Sequence, residues 1–266
     1  MLRDITIGQY YQTESVIHKL DPRVKIGGTL IYIISLFLFE NVWGYLLAAL
    51  FLGLVIKLSH VPFRFMVRGM RAILFLLLLT LVFNLFLTPG EALITFWKLK
   101  ITKEGVIMAV RMALRLSLLI IGSSIMTLTT TPNNLTDGME KMMGPLKIFK
   151  VPVHEVAMMM SIALRFIPIL MEETDKIMKA QIARGADFES GGLIKRAKSL
   201  VPLLVPLFIS AFRRANDLAM AMEARCYRGG EGRTKMKPLV YKRRDYLAYL
   251  VIVGYLAGKI VLGIYW

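Results

Sequence analysis

The sequence predicts an all-α integral membrane protein with about five transmembrane helices and three further helices outside the bilayer, two of them long and crossing. Two observations indicate this fold class. The 266-residue chain is 56% hydrophobic, with a mean hydropathy of +0.59, whereas soluble domains are about 45–50% apolar. Its apolar residues are also gathered in long runs with few charges, and a helix that spans a bilayer needs about 20 such residues.

Five apolar runs can cross a membrane when their flanking residues are included. They cover residues 24–39, 42–56, 72–88, 106–128 and 246–264. The last run is followed by Tyr265 and Trp266, an aromatic pair typical of a membrane interface. The predicted organisation is a cytoplasmic N-terminal segment (1–23), a four-helix transmembrane part (24–130), a cytoplasmic helical domain (131–240) and a C-terminal transmembrane helix (241–266).

The distribution of lysine and arginine predicts the topology, because positively charged loops stay in the cytoplasm. The formal net charge is +16, and residues 129–245 alone hold twenty Lys and Arg against twelve Asp and Glu. We therefore expect the N-terminus and residues 129–245 in the cytoplasm, although the lysines of the third link argue mildly against this topology. Because the positive charge alternates with apolar spans, the sequence favours membrane topology over nucleic-acid binding.

Three helices are predicted in the cytoplasmic domain. The first begins at Pro132 and ends near Met143, and the second runs from Pro152 to about Arg184 with apolar residues at steps of three and four. The third runs from about residue 193 to 227. As a whole this segment is too polar to span the bilayer, and the apolar stretch 199–212 is too short.

The sequence contains no group of residues that predicts catalysis. Its three histidines are far apart, and no paired carboxylates lie inside a span to form a proton relay. Residues 254–259 resemble a phosphate-binding loop, but they lack its spacing and the Ser or Thr that should follow the lysine. We therefore predict no metal, cofactor or nucleotide on this chain; if ATP drives the protein, another chain hydrolyses it.

Two arginines occupy matching contexts at the ends of the two long predicted helices. The short motifs are Ala183, Arg184, Gly185 and Ala224, Arg225, Cys226. Because their neighbours are small, both guanidinium groups can project from the helix and dock bidentately into a carboxylate-lined groove of a partner. The alternative is an arginine that complements the helix dipole, which contributes only about 0.3–1 kcal/mol. The spacing alone leaves both interpretations open.

Methionines and two membrane arginines are the remaining candidates. Eleven of the seventeen methionines fall in residues 129–245. They either fill a core or form a surface that adapts to several partners. The candidates for such a surface are Met139, Met142, Met158, Met159, Met160, Met220 and Met222. Arg111 and Arg115 lie one turn apart in the fourth span, where they either pair or snorkel at the span end or contact a partner subunit.

Five strings of the sequence carry a resemblance to one family. They are residues 17–25 (IHKLDPRVK), 128–132 (LTTTP), 163–168 (ALRFIP), 181–187 (QIARGAD) and 214–225 (RANDLAMAMEAR). Together they resemble the transmembrane T component of energy-coupling factor (ECF) transporters, and the similarity covers nearly the whole chain. Cys226 departs from the family pattern, in which glycine or another small residue is usual, and we expect it to be tolerated sterically.

The resemblance implies a scaffold in a bacterial or archaeal cell membrane that is not itself an enzyme. Two ABC-type ATPases would hold ATP and Mg²⁺ and accept the two arginine motifs, which end the coupling helices. One membrane-embedded S component would bind the vitamin or transition metal. The alternative is a stand-alone secondary transporter, which needs polar or broken helices near the bilayer midplane. Only Asn84 and the Arg111/Arg115 pair provide polar groups of that kind.

Overall fold

The computed structural model describes residues 10–38, 41–96, 99–188, 192, 194, 198–230 and 236–265. Within these ranges the regular secondary structure is helical apart from one short β-hairpin, so the predicted helical fold is confirmed. The helices, in chain order, are α1 (Pro22–Leu38), α2 (Val42–Ser59), α3 (Phe63–Leu87), α4 (Lys103–Thr129), α5 (Pro132–Met142), α6 (Val153–Ala183), α7 (Val201–Ala224) and α8 (Arg243–Tyr265). A 3₁₀ turn, Gly144–Phe149, follows α5.

The chain divides into two compact units. The unit that we call the membrane unit comprises Gly8–Met142 and Leu239–Trp266, and the described part of the other, the two-helix unit, lies within Met143–Pro238. The sequence predicts domain boundaries at 130/131 and 240/241. The first boundary between the two units lies instead after Met142, because α5 belongs to the membrane unit. This helix packs on α1 so closely that a Cβ at Gly138 would lie 2.9 Å from the side chain of Pro22.

Each of the five predicted spans forms one helix: α1, α2, α3, α4 and α8. Among the described helices, four are long and apolar enough to cross a membrane, namely α2, α4, α6 and α8. Helix α1 has 17 residues, and the apolar part of α3 is the shorter stretch Leu74–Phe86. Helix α6 reaches a mean hydropathy of 1.6, so the argument from polarity does not hold for it. A cytoplasmic position for α6 stays a prediction.

The core of the membrane unit is formed by α1, α2, α4 and α8 around a group of aromatic rings. The rings of Phe51 and Tyr255 stack with centroids 4.4 Å apart, and Tyr32 lies 6.0 Å from Tyr255. A glycine makes this packing possible, because a Cβ at Gly122 would lie 2.6 Å from the ring of Tyr32. Large apolar side chains remain exposed on the outer faces, as expected for helices that contact lipid.

The link between α3 and α4 contains an antiparallel hairpin that the sequence analysis did not predict. Its strands are β1 (Ala92–Phe96) and β2 (Leu99–Thr102). Thr102 ends the hairpin and caps α4, because its hydroxyl accepts the N–H of Gly105 at 3.1 Å. The hairpin therefore leads directly into the first turn of the fourth predicted span.

The two-helix unit is built on α6 and α7. Each contains an internal proline, Pro168 in α6 and Pro206 in α7, where a backbone hydrogen bond is lost and the helix tends to bend. The predicted end of α6 just before Gly185 is confirmed. Helix α7 begins at Val201, and most of the predicted start of this helix, residues 193 and 195–197, lies outside the described residues.

Candidate functional site

Helix α6 ends in a Schellman motif in which an arginine is the C-cap residue. Arg184 is the C-cap, and Gly185 follows in the left-handed conformation at φ +88°. The N–H of Gly185 donates to the carbonyl of Ile182 at 2.9 Å, and the N–H of Ala186 donates to that of Gln181 at 3.0 Å. These two bonds satisfy carbonyls that the helix leaves unpaired. The backbone thus fixes the position from which the Arg184 side chain projects.

Helix α7 ends with the same backbone geometry. Arg225 is the C-cap, and Cys226 takes the left-handed conformation at φ 54°. The N–H of Cys226 donates to the carbonyl of Glu223 at 2.8 Å, and the N–H of Tyr227 donates to that of Met222 at 3.1 Å. Cys226 therefore occupies the position that Gly185 occupies on α6, which explains why glycine would suit this position.

Both arginines are exposed. Within the described part of the chain, neither the Arg184 nor the Arg225 guanidinium forms a hydrogen bond or an ion pair. All ten of their N–H donors are consequently available to a partner. A helix-dipole role requires only positive charge near the last turn, whereas the repeated Schellman geometry also fixes the direction in which each side chain leaves the helix.

The two helices contact each other in antiparallel fashion. The Glu173 carboxylate on α6 accepts a short hydrogen bond from the Arg214 guanidinium on α7 and another from the Ser210 hydroxyl at 2.9 Å. Nearer the end of α6, the Gln181 side-chain amide donates to the carbonyl of Pro202 at 3.2 Å. Later residues of α6 thus meet earlier residues of α7. The sequence analysis did not predict this ion pair.

The contact lies at equivalent positions of the two helices. Glu173 precedes Arg184 by 11 residues, and Arg214 precedes Arg225 by the same number. The opposite charges at this shared spacing are a signal that sequence reasoning could have used. At about 1.5 Å per residue, each arginine lies roughly 16 Å along its helix from the ion pair.

The two arginines project from opposite ends of the helix pair. Arg184 follows Gln181, which touches Pro202 at the beginning of α7. Arg225 lies 23 residues further along α7, which corresponds to roughly 35 Å at the rise of an α-helix. The structure therefore holds two matching cationic tips one helix length apart.

The candidate methionines are divided between the units. Met139 and Met142 lie on α5, in the membrane unit, and the other five lie on α6 and α7. The exposed ones are Met139, Met142, Met159, Met160 and Met220, and the half-buried ones are Met158 and Met222. Exposure of most of these side chains argues against core filling as their common role.

The membrane arginines differ in their surroundings. Arg115 is 6% exposed, and its Nε donates to the Tyr45 hydroxyl at 2.9 Å across α4 and α2, so it does not snorkel to the interface. Arg111, one turn away, is only half-buried. Near Tyr45, the fully buried Lys259 of α8 donates to the carbonyl of Ser35 at 2.6 Å. Arg115 and Lys259 therefore join helices of the membrane unit.

Residues 17–25, the first of the five strings that resemble the family, form polar contacts between the beginning of α1 and the beginning of α8. The buried Asp245 carboxylate accepts the N–H of Asp21 at 2.8 Å and that of Lys242 at 2.7 Å. Arg23 donates to both carboxylate oxygens of Asp21 and lies 3.9 Å above the ring of Tyr241. Sequence reasoning identified the string but not its partner Asp245, an acidic residue at the start of the last apolar run.

Comparison with known proteins agrees with this picture. A family model described as cobalt transport protein (CbiQ) matches residues 13–236, which include both arginine motifs. The energy-coupling factor transporter transmembrane protein EcfT of Clostridium kluyveri is 57% identical over 268 residues, covering 100% of this chain and 99% of the relative. Proteins of the same name from Ruminiclostridium cellulolyticum and Bacillus subtilis are 53% and 48% identical, covering 98% and 92% of this chain and 98% and 93% of the relatives.

The resemblance in the sequence motifs, the apolar helices and the near-complete alignment to these relatives lead to one assignment. The chain belongs to the family of energy-coupling factor transporter transmembrane proteins, the T components of ECF transporters.

Proposed function

We propose that this chain is the non-catalytic scaffold of an ATP-driven importer in a bacterial or archaeal cell membrane. Two ABC-type ATPases hold ATP and Mg²⁺ and bind the ends of α6 and α7. One membrane-embedded S component binds the vitamin or transition metal. The two coupling helices transmit the motion of the ATPases to the S component, so the chain contributes a mechanical connection.

The observation that carries the proposal is the pair of matching arginine tips. Arg184 and Arg225 share a Schellman backbone, exposure and a lack of partners within the described residues. Two similar ATPase subunits require two similar docking groups, and roughly 35 Å along α7 separates the two tips. A groove that contains carboxylates can bind each guanidinium through two parallel hydrogen bonds.

The exposed methionines support an adaptable surface for the S component. Met159, Met160 and Met220 are 47–61% exposed in the two-helix unit. Exposed methionine is costly for a soluble surface, but its flexible thioether can repack against partners of different shape. We propose that this surface contacts the S component while the arginine tips contact the ATPases.

The test is co-purification of the chain with its ATPase subunits after charge reversal at the tips. We expect Arg184→Glu and Arg225→Glu each to weaken association and the double variant to abolish it. Losing one partner of a buried charge pair costs about 2–5 kcal/mol, or roughly 30-fold or more in affinity. Retention of the full ATPase complement by the double variant would overturn the docking proposal.

Matched controls separate docking from a general effect of charge. Lys179→Glu on α6 and Arg228→Glu just beyond α7 make the same charge change at exposed residues near the tips, and we expect both variants to keep the ATPases. Liposomes that contain only this chain distinguish the alternative transporter class. ATP-independent solute uptake by the isolated chain would favour a stand-alone secondary transporter.

A further inference from the structure

The membrane unit contains a largely apolar cavity of about 340 Å³ between α1, α2, α4 and α8. Its deeper wall includes Leu52, Val55 and Ile125. Two other lining residues, Leu247 and Val251, are 63% and 49% exposed. The cavity therefore opens on the outer surface of the membrane unit, where an acyl chain can enter from the bilayer.

Two cationic side chains line the cavity near one end of the helices. Lys25 lies in the first turn of α1, and Arg244 lies in the first turn of α8. The Lys25 ammonium donates to the carbonyls of Thr129 at 2.8 Å and His18 at 3.1 Å, which leaves one of its three donors. The Arg244 Nε is buried and has no hydrogen-bond partner among the described residues. An anionic oxygen in the cavity would satisfy both donors.

A second unpartnered polar atom lies deeper in the same cavity. Tyr32 is 3% exposed, lines the cavity, and within the described residues its hydroxyl has no hydrogen-bond partner. It follows Lys25 by seven residues on α1, about 10 Å further along the helix. A buried hydroxyl without an acceptor costs about 1–3 kcal/mol. An occupant that offers a carbonyl oxygen at this depth removes that cost.

The order of these groups matches one class of molecule. Cations occupy one end, a hydroxyl donor lies below them, and apolar side chains form most of the remaining wall. A phospholipid has the same order of complementary groups: phosphate, ester carbonyls and acyl chains. The predicted topology places Lys25 and Arg244 at the cytoplasmic face, where anionic lipids attract basic residues and where basic pockets between helices bind lipid headgroups.

We propose that this cavity binds one anionic phospholipid from the cytoplasmic leaflet. Its phosphate lies between Lys25 and Arg244. One of its ester carbonyls accepts a hydrogen bond from the Tyr32 hydroxyl, and an acyl chain lies along the apolar wall of the cavity. The lipid joins the beginning of α8 to α1, α2 and α4. The choline of a zwitterionic lipid would place positive charge near two cations, so the site prefers an anionic headgroup.

The test counts lipids retained by the full-length chain. The purified protein is mixed in detergent with phosphatidylglycerol or phosphatidylcholine, and native mass spectrometry measures occupancy. We expect one phosphatidylglycerol per chain, retained about tenfold better than phosphatidylcholine, as a charge-assisted contact would give. Arg244→Gln should lower phosphatidylglycerol occupancy by about the same factor. Arg243→Gln, a change at the neighbouring exposed arginine outside the cavity, should leave it unchanged.

A second pair of variants tests the apolar wall. Ala248→Phe fills the cavity without changing a charge and should abolish retention, whereas Val253→Phe on the exposed face of α8 should not. The melting temperature without added lipid verifies that each variant is folded. Equal retention of the two lipids, equal retention by the two arginine variants, or retention by folded Ala248→Phe overturns the proposal. Release of bound lipid by inorganic phosphate alone would indicate a simple anion site and overturns it as well.

Discussion

The left-handed residue at the end of α7 gives a quantitative prediction. Cys226 has a φ of 54°, a conformation that costs a non-glycine residue about 1–2 kcal/mol. Glycine removes this cost, but it adds about 0.5–1 kcal/mol of conformational freedom to the unfolded chain. We therefore expect Cys226→Gly to stabilise the end of α7 by about 0.5–1 kcal/mol. Gly185 also has a positive φ, so Gly185→Ala should destabilise the end of α6 by a similar amount. A Cβ at this position would meet nothing within 4 Å, so the loss would come from the backbone conformation and not from a clash.

Hydrogen exchange measures both changes locally. In Cys226→Gly the N–H groups of residues 226 and 227, which donate to carbonyls of α7, should exchange about two- to fivefold more slowly. In Gly185→Ala the corresponding N–H groups of residues 185 and 186 should exchange faster by a similar factor. Cys226→Ser keeps the side-chain penalty without the thiol and should leave protection unchanged. Unchanged or faster exchange in Cys226→Gly would refute the assigned backbone cost.

Three further predictions test contacts elsewhere in the chain. Glu173→Arg or Arg214→Glu alone should lower the melting temperature, and the double charge swap should restore most of it; equal losses in single and double variants would contradict the ion pair. Asp245→Ala leaves two N–H groups without their acceptor, at about 1–3 kcal/mol each, so its melting temperature should fall more than that of Asp245→Asn. Burial lowers the pKa of His18 below its usual 6.5, so the unfolded chain binds the proton more readily and stability should fall as the pH drops below about 6.5. His18→Gln should flatten that pH dependence of the melting temperature, and an unchanged slope would exclude His18 as its origin.

Sequence patterns predicted the helices well because each is marked by long-range periodicity or composition. Apolar runs identified all five predicted spans as helices, and Pro132 and Gly185 marked ends that the structure confirms. The hairpin over residues 92–102 was missed because its strands are short and lie between two long apolar helices. Short alternating segments carry little signal when neighbouring runs dominate the hydropathy.

The arginine tips could be predicted from sequence, but their relation could not. The repeat of small residue, arginine and small residue identified Arg184 and Arg225 directly. The antiparallel contact through Glu173 and Arg214 depends on how α6 and α7 meet, which local spacing does not determine. Asp245 was missed for the same reason, since it accepts an N–H from a residue 224 positions away.

The sequence argument that residues 129–245 are too polar to span the bilayer does not hold for α6. The most apolar 18 residues of α6 have a mean hydropathy of 1.6, against 1.9–2.1 in the other three candidate spans. Exposed methionine, valine and isoleucine side chains contribute to this value. A surface that is built to bind another membrane protein and one that is built to contact lipid have similar compositions. Composition alone therefore does not distinguish α6 from a membrane span.

The position of the Glu173–Arg214 contact, midway between the two tips, has a mechanical consequence. An α-helix resists compression along its axis, so bodies attached at Arg184 and Arg225 cannot approach each other by shortening either rod. Any change in their separation must instead rotate α6 against α7 about the ion pair, which lies 11 residues from the arginine at the end of each helix. Small displacements of the arginine tips would then also move the opposite ends of both helices.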